Sequence, residues 1–183
     1  EIKATSNGSV ETELMRYEDA MRPEVALCVF GTYSSGKSAF INSLIGEEIL
    51  SSSKGEETAR IFRITPLSTG SITDSTIRFQ YQKEEITLGF NANGYFFQNA
   101  DAVPNVALKQ RLDSIIPQNG TVSASYIYQI IQLLNKFDGE TDNQTIGDMI
   151  EIRVPFIHSA LPLDKYNFII YDTPGSDSAA NQD

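Results

Sequence analysis

Val25-Ala-Leu-Cys-Val-Phe30 runs into Gly31-Thr-Tyr-Ser-Ser-Gly36-Lys37-Ser38 and then into Ala39-Phe-Ile-Asn-Ser-Leu-Ile-Gly46. The order of these three pieces decides the fold. The first is an unbroken apolar run between turn signals, the pattern of a strand buried on both faces of a parallel sheet. The last carries Phe40, Ile41, Leu44 and Ile45 at helical spacing, with Gly46 as a natural stop. Between them lies GxxxxGKS, matched at every fixed position. Strand, glycine-bearing loop and helix in that order are what a phosphate-cradling loop requires.

The chemistry follows from the residue types. Gly31 and Gly36 let the backbone wrap without side-chain collision, so the main-chain amides of Ser34, Ser35, Gly36, Lys37 and Ser38 can point at a phosphate, with Ala39 next in the helix. Lys37 would reach β- and γ-phosphate oxygens, and the Ser38 hydroxyl would ligate Mg²⁺. A second piece, Asp172-Thr-Pro-Gly175, follows the apolar run Asn167-Phe-Ile-Ile-Tyr171. An acidic residue at the end of a sheet strand can hold a magnesium-bound water, and a glycine three residues on can present its amide to a γ-phosphate. Together the two pieces describe a nucleoside triphosphatase on an α/β P-loop sheet, three layers deep with helices on both faces.

Outward from these motifs, residues 10–22 place Val10, Leu14, Tyr17 and Met21 at helical intervals before Pro23. This N-terminal segment, 1–22, stands apart from a domain over 23–183. Residues 47–58 read as a mobile loop. Strands are expected at Ile61–Thr65, Thr76–Tyr81, Ile86–Phe90, Met149–Val154 and Asn167–Tyr171, and the second and third of these suit a hairpin. Helices are expected over Asn105–Ile116, ending at Pro117, and over Ser125–Phe137, capped by Ser123 or Ser125. The Tyr95-Phe96-Phe97 cluster suits core packing better than a partner-facing patch, and His158, the only histidine, suits a loop or strand end.

GTYSSGKSAFINSLIG, the loop holding Glu57-Thr58-Ala59-Arg60, and IIYDTPGSDS together resemble the GTPase domain of the dynamin superfamily, particularly its bacterial members. The resemblance implies GTP and GDP as ligands, with Mg²⁺ held by Ser38, Thr58 and Asp172. It makes Thr58 the switch threonine that closes over the metal and the attacking water, and gives Gly175 a place at the third phosphate. It matches Ser34 to the serine that offsets charge between β- and γ-phosphates, often with a monovalent cation. Catalysis would then rest on Ser34, Lys37 and Thr58. Tyr33 departs from the glutamine that many eukaryotic members carry there. Self-assembly and membrane remodelling, with a cytoplasmic protein joining the membrane at its periphery, belong to the same implication. Ser38 and Asp172 lie 172 − 38 = 134 positions apart. A minimal GTPase needs far fewer, so residues 66–147 are expected to hold an insertion, as enlarged dynamin-type domains do.

Composition sets the outer limits. The 183 residues are 40% hydrophobic and 21% charged, close to the soluble globular average, and no apolar run nears the roughly 18 residues of a membrane span. A net charge of −10 argues against bulk-charge binding of nucleic acid. The lone Cys28 allows no internal disulfide, fits a reducing cytosol, and should act as a small hydrophobe on a buried strand. No Asn/Thr-Lys-x-Asp motif follows Asp172, so guanine preference is an inheritance of the resemblance. Two other readings stay open: a nucleotide-gated scaffold with little hydrolysis, and a P-loop ATPase. The missing strand beyond Asp172 predicts an incomplete domain whose Val25–Phe30 edge lacks a neighbour and self-associates.

Overall fold

A computed structural model of the chain describes residues 10, 13–14, 17–18, 20–32, 35–52, 59–67, 70–99, 106–137 and 146–175. Seven strands form one mixed sheet: β1 (Glu24–Val29), β2 (Ile61–Leu67), β3 (Thr76–Tyr81), β4 (Glu84–Asn91), β5 (Gly94–Phe97), β6 (Ile146–Pro155) and β7 (Asn167–Asp172). Their order across the sheet is β1-β7-β2-β6-β3-β4-β5. The helices are α1 (Lys37–Ile45), α2 (Val106–Asp113) and α3 (Ala124–Asn135). This is a P-loop GTPase arrangement: β1 lies parallel to β7, so the phosphate-loop strand and the strand ending in Asp172 point the same way and finish side by side.

One face of the sheet is apolar because the pleat puts alternate residues there. Ile170, Ile64, Ile150, Ile152, Ile77, Phe79 and Leu88 share it and form a single buried cluster with Ile41 and Ile45 of α1, Leu108 and Leu112 of α2, and Ile127, Ile130, Ile131 and Leu134 of α3. The Ser123 hydroxyl accepts the Tyr126 amide and caps α3 as expected. Gly46 ends α1 in the left-handed conformation, φ 85°, and a side chain there would meet the His158 backbone at 2.6 Å. Of the four large apolar residues in α1, Ile41 and Ile45 are buried whereas Phe40 is 54% exposed.

Helices α1, α2 and α3 pack on that one face; on the other, among the described residues, the helical Ala20 lines a groove with Arg63 and Arg78. This corrects two expectations for β1. Its exposure alternates along the strand instead of staying low, and Cys28 is exposed rather than buried. Cys28 shares its face with Ala26, while Leu27 and Val29 turn toward the core. The same open face is polar further along. Glu151 pairs with Arg63 at 3.6 Å and with Arg78, which also reaches Glu85 at 3.7 Å. Such half-exposed pairs contribute little to stability.

Residues 10, 13, 14, 17, 18, 20 and 21 are helical, as the spacing predicts. Val10, Leu14, Tyr17 and Met21 are all exposed. At the far edge, β5 forms an antiparallel pair with β4 where the sequence suggested only an aromatic cluster. Elements β3, β4, β5, α2 and α3 all fall within residues 66–147.

Candidate functional site

The site forms where β1 and β7 end together. Val29 pairs with Asp172, so the chain leaving β1 into the phosphate loop passes the carboxylate at the end of β7. Thr173 reinforces this junction by donating its hydroxyl to the Val29 carbonyl at 3.2 Å. Gly36 stands at the N-cap of α1 with φ 82° and ψ 19°, a left-handed conformation that glycine adopts without steric cost. Gly31 meets a closer limit: a β-carbon there would lie 2.7 Å from the Ser35 hydroxyl oxygen. Gly36 is therefore accounted for by backbone shape and Gly31 by crowding from the Ser35 side chain.

Two polar arrangements fill the loop. Lys37 Nζ donates to the carbonyls of Gly31 at 3.1 Å and Thr32 at 3.0 Å, folding its ammonium back over the loop. The Ser38 hydroxyl donates to Asp172 Oδ2 at 3.1 Å. Asp172 is fully buried, and its carboxylate is the acidic member of a hard-oxygen donor set. Hydroxyl and carboxylate oxygens facing one another suit Mg²⁺, which prefers oxygen ligands and retains several waters. The donor set thus fits the ion that the motifs call for.

Gly31, Ser35, Gly36, Lys37, Ser38 and Ala39 are brought together at this end of the sheet with Asp172 beside them, and Gly175 follows three residues on. Ser34 and Thr58, together with Tyr33, lie outside the described residues. A groove of about 690 Å³ lies elsewhere, over the polar sheet face lined by Arg63, Arg78, Glu151 and Asn167, and includes neither Lys37 nor Asp172. The groove's lining includes no glycine, whereas the loop offers glycine-wrapped amides of the kind that suit a phosphate.

Three polar residues matter here to which the sequence reading gave no role, although Asn42 and Arg60 stand within the stretches quoted above. Asn42, inside α1, donates to the Leu50 carbonyl at 2.8 Å and accepts the amides of Ile49 and Leu50 at 3.1 and 3.0 Å. It fixes how the chain leaves the helix. Asn135 accepts the Ala59 amide at 3.0 Å, and Arg60 is buried against main-chain carbonyls. A polar residue inside an apolar helical stripe was the available signal for Asn42 and Asn135; nothing local marked Arg60.

None of the curated proteins compared with the chain matches it. Two solved structures of an oligomerised bacterial dynamin pair, described as providing a mechanism for long-range sensing and tethering of membranes, are similar at 15% identity. They cover 95% and 96% of this chain, with TM-scores of 0.41 and 0.39. The chain spans about a fifth of their length, 20% and 19%. The model of the dynamin family matches residues 27–183, from inside β1 through the phosphate loop and Asp172. The chain belongs to the dynamin family.

Proposed function

We propose that the chain is the GTPase part of a dynamin-type protein, binding GTP with Mg²⁺ and hydrolysing it. One observation carries the reading: Ser38 and Asp172, 134 residues apart in sequence, meet at 3.1 Å beside Lys37. Two motifs that would be ordinary turns in isolation thereby form one polar site.

Lys37 would exchange the carbonyls of Gly31 and Thr32 for β- and γ-phosphate oxygens. These hydrogen bonds are local and partly exposed, so little is lost when they are replaced. The amides opening α1 would hold the phosphates, helped by the positive end of the helix. Ser38 and Asp172 would hold the magnesium ion, which supplies charge neutralisation between the phosphates. Thr58 would place the attacking water, and Ser34 would offset charge between the β- and γ-phosphates with a monovalent cation. Gly175, three residues after Asp172, would present its amide to the third phosphate. Residues 66–147 form an insertion in this domain, and assembly with further copies is the use to which the nucleotide cycle is put.

Phosphate release with and without K⁺ tests the reading, in wild type, Lys37→Ala and Thr58→Ala. Both variants are expected to lose hydrolysis by about a hundredfold or more, the scale of removing one preorganised stabilising group. Release that is unchanged in both would overturn the mechanism.

A further inference from the structure

The start of β2 is bolted to a helix from the far side of the domain. Arg60 is 9% exposed. Its Nε donates to the Ile146 carbonyl at 3.4 Å, and its two terminal nitrogens donate to the carbonyls of Asn135 and of Phe137, the latter at 3.0 Å. Asn135 and Phe137 bracket the C-terminal end of α3, where carbonyls lack helical partners and a cation is favoured. The Asn135 side chain completes the joint by accepting the Ala59 amide at 3.0 Å. A guanidinium spreads its donors over three nitrogens, here one for each carbonyl, whereas a lysine offers all its donors from one nitrogen.

The joint lies two residues from the site. Phe62 is paired with Asp172 across β2 and β7, so a shift at Arg60 moves the backbone that flanks the carboxylate. The Lys37 contacts of the phosphate loop, by contrast, lie within residues 31–37. We infer that Arg60 and Asn135 are positioning residues for hydrolysis: they seat the start of β2, and with it Asp172, on the C-terminal end of α3. The inference rests on the nucleotide-hydrolase reading above. It makes α3 a structural part of the hydrolytic site, although the helix begins 124 − 38 = 86 positions after Ser38.

Steady-state GTP hydrolysis and GDP affinity are to be measured in parallel for the native protein, Arg60→Lys, Asn135→Ala and Asn135→Asp. Arg60→Lys and Asn135→Ala should lower kcat by about tenfold or more, since small misplacements of catalytic groups have large kinetic effects. GDP affinity should stay within about twofold of wild type, because it reports the phosphate loop, and that ratio also certifies that the variants are folded. Asn135→Asp keeps an oxygen for the Ala59 amide and should restore kcat to within about threefold of wild type. Wild-type kcat in Arg60→Lys and Asn135→Ala overturns the inference. So does a loss of kcat and GDP affinity together that Asn135→Asp fails to rescue. A native protein that binds no guanine nucleotide overturns the underlying reading instead, and is recognised before any variant is compared.

Discussion

The two ends of the sheet are held together by different physics. At the β3–β5 end, α3 buries Tyr126, Ile127, Ile130, Ile131 and Leu134 against the strands. Aromatic pairs lock the layers edge to face, Tyr81 with Phe137 at 6.1 Å and Phe90 with Tyr126 at 6.2 Å. At the β1–β7 end, Phe40 and Phe30 are mostly exposed, and the short-range order comes from polar contacts: Lys37 on two carbonyls, Ser38 on Asp172 and Thr173 on Val29. Hydrogen bonds of this kind can be traded for bonds to a ligand at little net loss, whereas buried apolar contacts have no such substitute. The domain therefore keeps its exchangeable contacts where phosphate would arrive, beside the buried Ile41, Ile45 and Ile170 that anchor α1 and β7 to the core.

This contrast can be broken by mutation. Ile130→Ala removes a fully buried side chain from α3 and should cost about 2–5 kcal/mol of stability by denaturant unfolding. Nucleotide affinity of the folded fraction should be unchanged; a large affinity loss would mean that the two ends are not separable. Gly46→Ala probes the site end. Its φ of 85° and the 2.6 Å approach to the His158 backbone should cost about 1–2 kcal/mol in the same assay. A stabilised variant would show that the close packing of α1 on the 158 turn is not a constraint.

A smaller effect sharpens the far end. Lys109 at 2.6 Å, and then the Tyr95 hydroxyl at 2.5 Å, hold the Asp113 carboxylate below its ordinary pKa. A depressed folded-state pKa stabilises the fold above the unfolded carboxylate value, near 3.9, and that contribution disappears as pH falls through the lowered folded value. The group is about half exposed, so the gain is small. Asp113→Asn should flatten the acid limb of stability against pH slightly, with no change at neutral pH beyond the lost pair. An unaltered acid limb would remove the claim.

Legibility in the sequence follows the same division. At the site end the strand, loop and helix order was readable, with glycine where φ is positive at Gly36 and Gly46; the phosphate and metal roles of Lys37 and Ser38 belong to the proposal. The β3–β4 hairpin was readable from strand alternation alone, although its turn, Gln82-Lys83, has positive φ at both residues without a glycine or asparagine. The edge strand β5 was not readable, because four residues are too few to show a period. Burial of Cys28 was overestimated because an apolar run reports hydrophobicity on both faces but not which face a helix covers. Arg60 was quoted beside Thr58, but its role was not readable for a related reason. Its partners, Asn135, Phe137 and Ile146, lie 75 to 86 positions away and are main-chain carbonyls, which leave no signature in residue type.

Titration of fluorescent GTP and ATP analogues, with Mg²⁺ and with chelator, into wild type and Lys37→Ala goes to the centre of the account. Magnesium-dependent binding of the GTP analogue that weakens by about a hundredfold, ~2.7 kcal/mol, in Lys37→Ala is the expected result. Equal binding by Lys37→Ala, or binding indifferent to magnesium, would contradict it.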